Sequence, residues 1–459
     1  MTSTSFTCRC LAASVSAAWL GLAPAPALAQ VAAGLPAQAA AEQSGDAAGA
    51  ADLVRLNVSG FGTLGWARSN RTWSYQRFID DTGTARADSL LGAQADLQLD
   101  SQWSAALQLK IAPSNRDDSS WSLRPSWAFV AWRPHNDWLL RAGRLRLPAY
   151  LNSEQLDVAA TYTPARLPAE TYAVLPPENL DSLNLTRSWS TGSGEVTLDV
   201  YGGRSKQTLR VWVRDGLGEA LPTGANFIRM TTKAEGLVAT WNGADSKARL
   251  GVHRVIVTPP PAVAVVVRPS WVPLGPGLGY WQTSPGMPGP GVDTLSSVKS
   301  YYLTGGVEFS PAPGWKVATE LNRVRPVGTE RSIDTRGGYI AVTRQLGRWS
   351  PYATYGRLMS SGTSLAWART LDETTLPVGL PGAEPLNASM RASAEAIPVY
   401  DQRSWAFGGA YAVSPTAKLK AEWLHTRAKV SSMFDLAPGE KLFQTRSIDV
   451  LSVNYSFTF

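Results

Sequence analysis

Asp449-Val450-Leu451-Ser452-Val453-Asn454-Tyr455-Ser456-Phe457-Thr458-Phe459 closes the sequence with unbroken alternation. Leu451, Val453, Tyr455, Phe457 and Phe459 share one face; Ser452, Asn454, Ser456 and Thr458 share the other. A period of two over this length specifies a strand with one apolar and one polar face. A free edge strand bearing that much apolar surface would aggregate in water. It is stable where the apolar face meets lipid and both edges are paired, as in a closed barrel. The soluble alternative is the last strand of a β-sandwich.

The rest of the chain favours the barrel. Period-two segments recur at 54–66, 87–99, 103–112, 124–133, 137–144, 182–190, 194–203, 227–241, 246–257, 297–310, 313–323, 332–345, 348–358, 399–413, 416–428 and 442–459. Most are long enough to cross a bilayer when tilted. The connections between them alternate long and short throughout. The short ones carry turn chemistry: Pro134-His135-Asn136, Gly192-Ser193, Asn242-Gly243-Ala244-Asp245, Pro311-Ala312, Leu346-Gly347 and Pro415. An antiparallel barrel with tight periplasmic turns and longer external loops produces this parity. Of the 18 tryptophans, Trp103, Trp138, Trp189, Trp241, Trp315 and Trp349 sit beside the short turns. There their rings would form an aromatic girdle at headgroup depth.

Alternation also assigns faces. Leu107, Leu109 and Ile111 oppose Gln108 and Lys110; Leu419, Ala421 and Trp423 oppose Lys418, Lys420 and Glu422. A Lys or Arg at the lipid midplane costs ~2–4 kcal/mol, so the charged faces point inward. The expected lumen is lined by Arg55, Lys110, Arg141, Lys316, Lys418 and Lys420, with Asp96, Glu195, Asp199, Glu308 and Glu320 interspersed. Sixteen strands enclose an aqueous channel. Arg254, Arg344 and Arg403 fall on the nominally outer face and imply either rim positions or a shifted register.

Residues 1–29 read as a secretory signal peptide, with an apolar run over 11–22 and Ala27-Leu28-Ala29 as the cleavage pattern. Residues 30–52, rich in Ala, Gln and Gly, read as a flexible periplasmic lead-in, and 53–459 as the barrel. Both cysteines, Cys8 and Cys10, fall in the signal segment. Their loss would exclude a disulfide scaffold, a thiolate metal site and a cysteine nucleophile. Removing Arg9 from the 43 basic residues leaves 42 against 36 acidic, a charge of +6. No later stretch is long and apolar enough for a transmembrane helix.

On the alternation, the loop parity, the terminal Phe459 and the tryptophan girdle, the chain resembles the Gram-negative porins. The run Leu140-Arg141-Ala142-Gly143-Arg144-Leu145-Arg146-Leu147-Pro148, followed by Asp157 and Arg166-Leu167-Pro168, is also loosely similar to the phosphate-selective porin group. That group's repeated basic ladder has no clear counterpart here. The porin resemblance implies a homotrimer whose third external connection, here 145–181, folds inward as a constriction. On physical grounds a wet pore selects by diameter and by fixed charge on low-dielectric walls. Arg141, Arg144 and Arg146 on the wall would face Glu154, Asp157 and Glu170, with Arg166, across an eyelet. Charge reversal at any of the three wall arginines should then move the ion selectivity. The alternative is an ordinary external loop, its arginines set against lipopolysaccharide phosphates.

Catalytic chemistry has little to stand on. The histidines are His135, His253 and His425. None lies in a recognisable catalytic neighbourhood, and no nucleotide, zinc-protease or nucleophile-elbow motif occurs. No basic run suggests nucleic acid. The expectation is an all-β transmembrane antiparallel barrel of about sixteen strands in the outer membrane, passing small hydrophilic solutes or ions with an anion preference. It needs no cofactor or metal; its partners are membrane lipid and lipopolysaccharide. A substrate-specific channel, a barrel enzyme and an adhesin are the alternatives.

Overall fold

The computed structural model describes residues 54–174, 178–216 and 221–459. The signal peptide and lead-in expected over 1–52 lie outside the described residues. Sixteen strands form one closed antiparallel barrel. In chain order they are β1 Arg55–Ser69, β2 Leu90–Gln98, β3 Trp103–Pro113, β4 Trp121–His135, β5 Trp138–Arg146, β6 Asn179–Thr191, β7 Gly194–Val213 and β8 Gly224–Asn242. The second half is β9 Ser246–Thr258, β10 Val298–Phe309, β11 Trp315–Val327, β12 Thr335–Arg344, β13 Trp349–Ser360, β14 Tyr400–Ser414, β15 Ala417–Ser431 and β16 Arg446–Thr458. Each strand pairs with its neighbours in sequence, and β1 closes on β16 with Phe61 opposite Thr458 and Leu64 opposite Tyr455. At the seam the Gly60 amide donates to the Phe459 carbonyl at 2.8 Å, and the Phe459 amide to the Gly60 carbonyl at 2.9 Å. No strand edge in the barrel is left open.

The side chains are arranged inside out. Leu64 and Leu321, facing outward, are each 65% exposed, whereas inward-facing Thr304 and Lys420 are 1% and 0% exposed. This is the two-faced strand of a lipid-embedded barrel. Among the described residues no helix is long and apolar enough to cross a membrane. The seven short turns and the long external connections alternate as the sequence predicts. Arg254, Arg344 and Arg403 lie on the outer face toward the strand ends: Arg254 beside Glu235 at 2.8 Å, and Arg344 on the Pro313 carbonyl at 3.1 Å near a periplasmic turn. Rim placement, not a register shift, accounts for them.

Three stretches differ from the sequence reading. β7 runs well past the predicted 203, and it pairs with the start of β8 as far as Val213 with Gly224. Above the membrane the hairpin keeps its backbone ladder but has no lipid face, so the apolar alternation that marks the other strands is lost. The connection 259–297 holds two short ladders, Val265–Val266 with Thr294–Leu295 and Ser270–Gly275 with Leu278–Gln282. The connection 361–399 holds two helices, Gly362–Glu373 and Ala383–Glu395. The first is capped by the Ser361 hydroxyl, which accepts from the Ser364 amide at 3.2 Å.

Candidate constriction of the bore

The chain leaves β5 at Arg146 and re-enters the sheet at Asn179. Pro148, Pro164 and Pro168 break the strand pattern of the connection, because proline removes a ladder donor and restricts its predecessor. The segment enters the barrel and is fastened to its wall almost all the way round. The Leu151 amide donates to Glu320 at 2.7 Å, and the Tyr172 hydroxyl to the same carboxylate at 2.5 Å. Glu154 pairs with Arg249 at 2.9 Å. Asp157 accepts from Lys110 at 2.6 Å and Ser126 at 2.7 Å, and it pairs with Arg146. Lys420 donates to the Ala159 and Pro164 carbonyls at 2.6 and 2.9 Å. The Ala165 amide donates to Tyr352 at 2.9 Å, and Asn454 donates to the Ala165 carbonyl at 2.9 Å. Arg166 grips Asp88 at 2.6 Å. Glu170 accepts from Gln402 at 3.1 Å and Ser404 at 2.8 Å.

These contacts form because the segment carries charges complementary to an inward-facing polar wall, and a buried ion needs a partner. Burial alone would push the Asp157 carboxyl up; the Arg146 and Lys110 charges outweigh it and hold the group well below the ordinary carboxylate range. Burial likewise opposes ionisation of Glu154, and Arg249 and Lys247 overcome it, lowering that group too. Both carboxylates are therefore charged at neutral pH.

Lys110, Arg146, Glu154, Asp157, Arg166, Glu170 and Lys420 are brought together at this segment. Arg141 lies inward on the wall away from it, donating to Asn184 at 3.0 Å and to Asp199 at 3.3 Å. Arg55 and Lys316 are exposed at the periplasmic mouth, where Lys316 pairs with Glu308 at 2.8 Å; Lys418 is half-buried one inward position from Lys420. Arg144 does not belong to the eyelet. It is in register with Asp181 on the outer face and pairs with it at 2.9 Å. Alternation from inward Arg141 carries Arg144 outward, whereas Arg146, the last residue of the strand, turns inward to Asp157. Sequence reasoning misses several partners, among them Arg249, Asp88 and Tyr352, and the neutral Ser126, Gln402 and Ser404. Arg249 has the inward parity of Lys247, a signal that alternation does carry. Asp88 falls in the predicted segment 87–99 with the inward parity of Gln94 and Asp96, although the strand itself begins only at Leu90.

The charges are not spread across open water. Wall cations and segment carboxylates touch, so the expected transverse field is largely neutralised by direct pairing. The mid-height wall is nearly dry: Gln108, Lys110, Tyr201, His253, Tyr339, Glu422 and Thr426 are all buried. Asn152, Gln155, Leu156, Val158 and Tyr162 of the segment are half-exposed, so the segment itself presents the accessible surface there. Toward the external side Tyr75, Ile79, Phe434 and Leu436, from two other connections, pack with Tyr150 and inward Leu358, Ile448 and Val450 in one apolar cluster.

His253 and His425 have separate surroundings. His253 is buried between Tyr201 at 2.7 Å and Thr304 at 3.0 Å. His425 pairs with Asp449 at 2.8 Å on the outer face. Neither has a serine in hydrogen-bond contact. Among the described residues no His, Cys, Asp and Glu cluster could hold a metal ion.

No protein-family model and no curated protein matches the chain. Solved structures do. A loop-deletion mutant of OmpT, an outer membrane protein of Vibrio cholerae, aligns over 89% of this chain and 100% of its own at 10% identity, with a TM-score of 0.50. The outer membrane channel DcaP of Acinetobacter baumannii aligns over 88% of this chain and 97% of its own at 12% identity, again with a TM-score of 0.50. At such identity the likeness is one of fold: the chain has the barrel architecture of outer-membrane proteins.

Proposed function

We propose that this protein is an outer-membrane channel through which small hydrophilic solutes or ions diffuse passively, past a constriction formed by residues 147–174. The observation that carries the reading is a polar-walled barrel of sixteen strands with the segment 147–174 folded inside and fixed to the wall. A barrel of this size is wider than wall side chains can fill. The dry wall at mid-height favours a narrow route, and with it a solute-selective channel over a wide general one. Weak anion preference rests on Lys247 and Lys418. Lys247 donates to the Leu151 carbonyl, and neither has a carboxylate in ion-pair contact among the described residues. Lys110, Arg146 and Arg249, by contrast, are neutralised. The apolar outer belt must be covered by lipid or by further copies, in keeping with a homotrimer set among outer-membrane lipid and lipopolysaccharide.

Conductance of the refolded protein in a planar bilayer, with the reversal potential under a KCl gradient, tests this. Stepwise ohmic openings with reversal on the anion side are expected. Folded, heat-modifiable protein that never conducts would overturn the channel reading and leave a stoppered barrel with an adhesive or enzymatic role.

A further inference from the structure

The outer wall carries a second feature that a channel does not require. Arg323 and Arg325 on β11, Arg336 on β12, Arg357 on β13, Arg403 on β14 and Arg427 on β15 all face outward, each within five residues of the external end of its strand. They are stacked against one another across the sheet. Arg323 is directly opposite Arg336, Arg357 is opposite Arg403, and Arg403 is opposite Arg427. Like charges in directly opposed positions destabilise a sheet. Two carboxylates relieve part of the patch: Asp334 pairs with Arg323, and Asp401 with Arg357 at 2.5 Å. Arg325, Arg336, Arg403 and Arg427 have no acidic partner among the described residues. One step toward the membrane centre lies an outward aromatic surface. Trp405 packs on Tyr355 at 4.5 Å between ring centroids, Phe407 stacks on Trp405 at 6.4 Å, and Trp423 on Phe407 at 6.0 Å.

We infer that this face of the barrel binds a phosphorylated glycolipid of the outer leaflet, the lipid portion of lipopolysaccharide. Its phosphates would sit among Arg336, Arg403 and Arg427 and its acyl chains on Trp405, Phe407 and Trp423. Guanidinium groups match phosphate oxygens in bidentate fashion, and an anion placed between opposed arginines turns a repulsive row into a stabilising one. Basic residues at headgroup level above an aromatic surface fit a lipid that is anionic above and apolar below. The inference rests on outer-membrane placement and is independent of whether the bore conducts.

The test is binding of bisphosphorylated lipid A to the folded protein in detergent, beside monophosphorylated lipid A and phosphatidylglycerol. The variants are Arg403→Ser with Arg427→Ser, and, as a control of equal charge loss, Arg204→Ser with Lys233→Ser, an outward cross-strand pair elsewhere on the barrel. Heat-modifiable mobility certifies the fold of each. The wild type is expected to prefer the bisphosphorylated lipid. The 403/427 variant should bind it at least tenfold more weakly, and the 204/233 variant as the wild type does. Equal binding of phosphatidylglycerol, equal losses in both variants, or no loss in the 403/427 variant would each overturn the inference.

Discussion

Replacing Asp157 by asparagine tests whether the inward segment is held by charge. Asp157 is 4% exposed and joins three wall groups: Lys110, Arg146 and Ser126. The amide keeps an acceptor for Lys110 or Ser126 but leaves two buried cations without their carboxylate. Glu178 is the remaining acid nearby, 3.6 Å from Lys110 and 54% exposed, so it compensates little. Breaking a buried ion pair costs about 3–5 kcal/mol. The retained hydrogen bond puts the Asp157→Asn variant near the lower end, about 3 kcal/mol. At about 1.4 kcal/mol per decade, the ratio of docked to released segment falls roughly 100-fold. The barrel ladder is untouched, so the loss should appear as release of the segment while the sheet remains folded. Single-channel recording is the assay, with heat-modifiable mobility reporting the barrel. Larger or noisier openings are expected, with the folded band retained. Lys110→Met, which leaves Asp157 paired with Arg146, should have the same effect to a smaller degree. Unchanged conductance and noise in Asp157→Asn would refute the claim that this ion cluster holds the constriction.

Further outcomes follow from the same geometry. Arg144→Glu should leave the reversal potential unchanged, because its side chain is on the outer face; a shift comparable to that of an inward substitution would contradict the placement. Lys418→Glu should move the reversal potential toward cations, since Lys418 lacks a carboxylate partner and lies near the periplasmic mouth. Docking by Asp157 should persist in mild acid. A carboxyl lowered in the folded state contributes stability above its unfolded value of about 3.9, lost only as pH falls through the lower folded one. Recordings from about pH 7 down to about 4.5, still above that unfolded value, should thus show no release of the segment through Asp157. Gly337→Val should displace the short helix Ala169–Tyr172, because a Cβ at Gly337 would lie 2.4 Å from the Glu170 carbonyl. Noisier openings are expected, and a variant indistinguishable from wild type would show that the helix has room to yield.

The barrel was legible from local rules. Alternation such as Leu451 to Phe459 needs only the pleat of one strand and the cost of placing Lys or Arg in lipid. These two rules place all sixteen strands, the side that each faces and the parity of the turns. The same parity puts Lys110, Arg141 and Lys420 inside without any knowledge of what they touch. Counted on from Arg141 it puts Arg144 and Arg146 on the outer face together: Arg144 is there, paired with Asp181, whereas Arg146, at the end of its strand, turns inward to Asp157. The helices in 361–399 and the extension of β7 beyond residue 203 lack the outward apolar alternation, so nothing local marks them. How the bore is filled is settled only by the closed fold. Asp88 with Arg166, Arg249 with Glu154 and Asn454 with the Ala165 carbonyl join residues far apart in the chain, and closing the barrel is what brings them together. Arginines expected to face carboxylates across water are therefore ions in contact. The charges are written in the chain, but the distance between them depends on how deeply one connection descends into the barrel.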